Sequence, residues 1–76
     1  MEIPDAVLTL AKELVDSYGN NFQYLGIFKG RDIYKFQFPP DERTGFPFVY
    51  LYDKRNDVVE EVTGIKALKI LRMVNK

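Results

Sequence analysis

The side chains of this 76-residue chain that can move a proton or hold a cation are mostly carboxylates and phenols. Histidine and cysteine are both absent. That removes the commonest general base, the imidazole and thiolate metal ligands, and the thiol nucleophile. The carboxylates most open to a chemical reading are Asp41-Glu42, Asp53, Asp57 and Glu60-Glu61. An acid–base pair must share one face, and neighbours in an extended strand point to opposite faces, so Glu60 and Glu61 do not form a dyad. Asp53 and Asp57 flank a turn at a spacing that suits a cation, but Lys54 and Arg55 lie between them and oppose one. Ser17 is the only serine and falls on a helix flank without a base. No glycine-rich loop is available to cradle a phosphate. These groups read as solvated turn and surface residues. The chain is expected not to be an enzyme, and to need no cofactor and no metal.

The elements that would position these residues are marked by aromatic rings. The chain has six phenylalanines and five tyrosines, and ten of these eleven lie between Phe22 and Tyr52. Phe22 and Tyr24, then Tyr34, Phe36 and Phe38, then Phe46, Phe48, Tyr50 and Tyr52 alternate with other residues, which is the period of a β-strand. Strands are expected at Phe22–Lys29, Arg31–Phe38, Phe46–Asp53 and Asp57–Val62. Pro39-Pro40 ends the second and opens a polar loop to Gly45, and Pro47 limits the start of the third to an unpaired position.

Two hairpins set the register. At Gly30, a two-residue Gly30-Arg31 loop would place Phe28 beside Ile33 and Leu25 beside Phe36. A three-residue Phe28-Lys29-Gly30 loop would place Tyr24 beside Tyr34 and Phe22 beside Phe36. One residue of slip moves every side chain to the other face, so this choice decides whether the aromatics share one face. The three-residue loop is preferred. At the last hairpin, Lys54-Arg55 forms a type I turn and Asn56 takes the left-handed position, pairing Tyr52 with Val58 and Leu51 with Val59.

Helices flank the strands. Ile3, Val7, Leu10, Ala11, Leu14 and Tyr18 recur at three- and four-residue spacing and predict a helix over Ile3 to Tyr18, with Pro4 in its first turn and Gly19 at its stop. Ala67, Leu68, Ile70, Leu71 and Val74 line one side of a second helix from Gly64 to Val74, opened by Thr63. Lys66, Lys69, Arg72 and Lys76 line its other side, with Ile65 and Met73 among them. The expectation is one small α+β domain of two layers. Its order is α-β-β-β-β-α, a four-stranded antiparallel meander with both helices packed on one face.

Eleven basic residues balance eleven acidic ones, so no overall field draws nucleic acid or an anionic membrane. No apolar run approaches the ~20 residues of a membrane span. The expected setting is cytoplasmic, with a mature secreted chain freed of its leader as the alternative. Gly45-Phe46-Pro47-Phe48-Val49-Tyr50-Leu51 resembles the base-stacking strand of RNA-recognition domains. Thr44, Pro47 and Leu51 break that pattern, and no helix fits between Lys29 and Arg31. Nucleic acid is not an expected partner.

A second resemblance is carried by Ile33-Tyr34-Lys35-Phe36, Val49-Tyr50-Leu51-Tyr52-Asp53, the turn Lys54-Arg55-Asn56-Asp57 and Val58-Val59. Over about the middle half of the chain this is similar to PepSY-like small domains. The resemblance implies a helix before an antiparallel meander and a regulatory or peptidase-inhibitory binding role, and it carries over no functional residues.

With both helices on one face, the opposite face carries either Leu25, Ile27, Ile33, Val49, Leu51 and Val59, or much of the aromatic set. Contiguous apolar surface of that kind marks interaction sites. Leu25, Ile27, Ile33, Val49 and Leu51, together with Ile65 and Met73, are the candidate partner-binding set. The expected function is a non-catalytic protein-interaction domain, binding a protein partner or a second copy of itself as a homodimer. The alternative is a small-ligand or peptide pocket between the aromatic face and the helices, with tyrosine hydroxyls at its rim.

Overall fold

The computed structural model describes residues 2–39 and 47–74. The polar loop expected before Gly45, the carboxylates Asp41-Glu42, the ring of Phe46 and Lys76 lie outside the described residues. The chain order is α1 (Asp5–Leu10), α2 (Lys12–Tyr18), β1 (Phe22–Phe28), β2 (Arg31–Phe36), β3 (Val49–Asp53), β4 (Val58–Val62) and α3 (Gly64–Val74). The strands form one antiparallel sheet in the order β1-β2-β3-β4, the expected meander of an α+β domain. Val49 opens β3 two residues after Pro47, and the Phe36 amide donates to the Phe48 carbonyl at 3.0 Å to close the ladder. Proline, which has no amide proton to give, is thereby left outside the pairing.

The helical regions do not share a face. Ile3, Val7 and Ala11 of the N-terminal helical region are buried against Phe22, Tyr34, Phe36 and Tyr50. Ala67 of α3 is buried against Ile33, Val49, Leu51 and Val62, with Ile70, Leu71 and Val74 packed around it. The pleat sends these two strand sets to opposite sides. The sheet is therefore the middle of three layers, not one of two. Its second face is covered because α3 begins two residues after Val62, which itself points to the aliphatic side.

That direction was set by the last hairpin. Asp53 pairs with Val58 and Tyr52 with Val59, one residue away from the expected register. Asp57, not Asn56, holds the left-handed conformation, with φ 53°. The Asp53 carboxylate accepts the Arg55 amide at 3.0 Å and the Asn56 side-chain amide at 2.8 Å. Those bonds stabilise a four-residue turn over 54–57 and hold the Asp53 carboxyl below the ordinary carboxylate range, the Asn56 bond contributing most. Val58 and Val62 consequently face α3's side.

The Gly30 hairpin combines features of both expected loops. Phe22 lies opposite Phe36 and Tyr24 opposite Tyr34, the preferred aromatic alignment. Nearer the turn, Phe28 lies opposite Arg31, so the connection is a two-residue Lys29-Gly30 turn. Both residues have positive φ, 52° and 78°, as a type I′ turn requires. A bulge between Tyr24 and Gly26 reconciles the two registers, with Gly26 at φ 104°. Rings pack edge to face along the aligned part, Phe22 to Phe36 at 5.1 Å and Phe36 to Phe38 at 5.0 Å between centroids.

The expected N-terminal helix is divided at Ala11, with φ −94° and ψ 19°. Hydrogen bonds bridge the break, from the Ala11 amide to Val7 and from the Val15 amide to Ala11. Leu8, Leu14 and Val15 pack partly buried against the core, and Leu10 is exposed.

Gly26→Ala is expected to destabilise the domain by about 1–3 kcal/mol through backbone strain alone, because a Cβ there meets no atom within 4 Å. Lys29→Asn should stabilise it by about 1 kcal/mol or less, since Asn-Gly suits the turn better. Urea unfolding of both variants checks the opposite signs.

Candidate functional site

The seven candidate binding residues separate into two groups. Ile33, Val49 and Leu51 are buried, at 0%, 0% and 2% exposure, and lie beneath α3. They are core, which corrects their expected place on an open face. Leu25 is half-buried at the edge of the same cluster. Ile27 is exposed, but the bulge turns it to the aromatic side, opposite Asp32. Ile65 and Met73 are exposed on α3, at 66% and 51%. Of the seven, only these last two combine exposure with a position on the same element.

The aromatic side is largely satisfied within itself. Three tyrosine hydroxyls donate to nearby carboxylates, two on the sheet and one in the last turn: Tyr24 to Asp32 at 2.8 Å, Tyr50 to Glu61 at 2.7 Å and Tyr52 to Asp57 at 2.7 Å. Burial and then the Glu61 bond raise the Tyr50 phenol far above its ordinary range. The Asp32 bond raises Tyr24 and the Asp57 bond raises Tyr52. Tyr18 adds rings against Phe36 and Phe38, at 6.2 and 5.3 Å. Three of the four hydroxyls expected at a ligand rim, those of Tyr24, Tyr50 and Tyr52, thus already have partners, whereas the Tyr34 hydroxyl makes no side-chain hydrogen bond among the described residues and its ring packs on Tyr24 at 5.3 Å.

The cleft with the most differentiated chemistry lies on the other side, between α3 and the sheet. It encloses about 300 Å³, at the lower end of the range for ligand pockets. Its floor is apolar: Leu51 and Val62 are buried, Phe28 and Ile70 half-buried, and Met73 stands at the mouth. Its rim holds Lys29, Arg31, Lys66 and Lys69 against one carboxylate, Glu60. Glu60 accepts from Arg31 at 3.1 Å, so that charge is already used. No ion pair engages Lys29, Lys66 or Lys69 among the described residues. Lys29 Nζ lies 5.4 Å from the centre of the Phe28 ring, a cation–π contact that holds the amine beside the floor.

The basic side of α3 and its two apolar residues were legible from helical spacing. Phe28, Lys29 and Arg31 were not assigned to this surface, because the turn and bulge that bring the β1–β2 hairpin to α3 depend on register. A wider cleft of about 610 Å³ lies at the break between α1 and α2, lined by Leu10, Leu14, Phe48 and Glu61 among others. It carries Lys12 and two carboxylates, Glu13 and Glu61, so no single charge sign dominates it. The described residues contain no group of three or more His, Cys, Asp or Glu placed to hold a metal ion. No helix among them is long and apolar enough to cross a membrane. Comparison with protein-family models, curated proteins and solved structures returns no match.

Two measurements check these assignments. Leu51→Ala should cost about 2–5 kcal/mol as a buried truncation, whereas Ile65→Ser should change stability by about 0.5 kcal/mol or less. In an alkaline titration followed by phenolate absorbance, Tyr50 should keep its proton beyond the ordinary phenol range near pH 10. Its folded pKa is raised, so its contribution to stability is fully present below that pH and lost as pH rises above it. Ionisation of Tyr50 should coincide with unfolding, and Tyr50→Phe should remove that part of the alkaline response.

Proposed function

We propose that this chain is a non-catalytic protein-interaction domain whose binding surface is the outer side of α3 and the adjoining β1–β2 turn. One observation carries the reading: exposed Met73 lines an open cleft with an apolar floor beside Lys29, Lys66 and Lys69, which form no ion pair among the described residues, and exposed Ile65 lies on the same helix outside that lining. Apolar side chains held in water by a folded scaffold gain free energy when a partner covers them, at roughly 25 cal/mol per Å² removed from solvent. The cations around them select among partners and speed encounter more than they add affinity. The chain's residue inventory supports the non-catalytic part, since neither imidazole nor thiol is available to it. The resemblance to PepSY-like domains agrees with a binding role and adds no residue to the surface.

The immobilised chain should capture a host protein that an Ile65→Ser/Met73→Ser variant does not, and the purified protein should rebind. Self-association seen by light scattering and lost in the same variant would support the same surface. Equal capture by both chains, or a strict monomer that captures nothing, would overturn the proposal.

A further inference from the structure

We infer that the cleft beside α3 receives an acidic peptide segment of a protein partner, one large apolar side chain entering the floor and flanking carboxylates meeting the lysines. This rests on the interaction reading above and specifies the partner's chemistry.

Charge complementarity is the first argument. Among the described residues, the rim gathers four of nine cations and one of nine carboxylates. In a chain of zero net charge that is a local excess, and it lies where Met73, Ile70 and Phe28 offer apolar contact. Attraction between an acidic segment and such a rim acts over about 8–10 Å at ordinary ionic strength, so it orients a segment already near the cleft. Met73 at the mouth adapts its shape to whatever side chain enters.

Size is the second argument. A volume of about 300 Å³ admits one or two side chains and no folded element. What enters the cleft is therefore one anchoring side chain, with its neighbours along the chain meeting the rim.

Lys29 is the third. It occupies a left-handed position, at φ 52°, where asparagine or glycine would be less strained. A lysine at this strained position places its amine at the rim, where the Phe28 ring steadies it. Stability and binding then pull in opposite directions at this residue, which a purely structural lysine would not do.

The same observations disfavour other anionic partners. Single-stranded nucleic acid needs exposed rings for stacking, and the cleft offers only Phe28, half-buried with Lys29 beside it. An anionic membrane is met by apolar groups that project outward, and here most of them form a concave floor.

The test uses a fluorescent peptide of eight glutamates around a central Leu-Phe pair, its all-glutamate counterpart, and a lysine version of the same length. The Leu-Phe acidic peptide should bind, weaken with added salt, and shift the amide signals of Phe28, Lys29, Lys66, Lys69 and Met73. Lys66→Glu/Lys69→Glu, both exposed positions, should reduce affinity at least about fivefold. Met73→Ser should reduce it for the Leu-Phe peptide and not for the all-glutamate one. Lys29→Asn should bind more weakly while unfolding at higher urea. The inference is overturned if the two acidic peptides bind equally, or if neither shifts those signals. It is also overturned if a single-stranded oligonucleotide or phosphatidylglycerol vesicles occupy the cleft more tightly than the peptide. If the peptide fails while a host partner is still lost on changing Ile65 and Met73, the acidic-segment chemistry falls and the interaction surface stands.

Discussion

The two central strands of the sheet carry large apolar groups on both sides. Ile33, Val49 and Leu51 project one way, and Tyr34, Phe36 and Tyr50 the other, and all six are buried. A sheet of this kind cannot leave either face to water, because each uncovered aliphatic or aromatic side chain forgoes about 1.5–3 kcal/mol. Both helical regions are therefore required, one per face. The N-terminal pair lies over the aromatic side and α3 over the aliphatic side. A domain with no disulfide obtains its buried area by using its sheet twice.

Double-sided burial makes register consequential. A slip of one residue in any strand would exchange its two side-chain sets between different helices. Two irregularities hold the registers in place. The bulge at Leu25 and Gly26 lets a tight Lys29-Gly30 turn coexist with the Phe22–Phe36 and Tyr24–Tyr34 alignments. The Asp53-centred hydrogen bonds fix a four-residue turn that sends Val62 to the side where α3 follows. Each device is local, yet each decides which layer a helix joins.

The division of chemistry between the faces follows from the same plan. On the aromatic side, tyrosine hydroxyls and carboxylates neutralise one another's needs within the sheet and its last turn. On the α3 side, the helix is amphipathic, and its outer surface joins the hairpin cations with Glu60 as the single carboxylate of the cleft lining, paired with Arg31. Cations without an ion pair among the described residues and uncovered apolar surface therefore meet beside α3. That coincidence is the basis for assigning the partner surface there.

Element types and the meander were written in local patterns: two-residue alternation for the strands, three- and four-residue recurrence for the helices, and proline or glycine at their limits. The cationic outer side of α3, with Ile65 and Met73 within it, was equally legible because a helix fixes its faces by spacing alone. Three things were not. The break at Ala11 leaves no mark in helical spacing. The last hairpin turned on whether Asn56 or Asp57 would take the left-handed position, and both residue types tolerate it. The Gly30 hairpin kept two registers open because a bulge adds a residue that period-two counting cannot see. The sequence by itself thus determined which elements form and which residues could be apolar or charged. Only the tertiary structure decided which helix each sheet face meets, since face assignment depends on turn length to a single residue. It moved Ile33, Val49 and Leu51 from a supposed surface into the core and brought Phe28, Lys29 and Arg31 to the cleft beside α3.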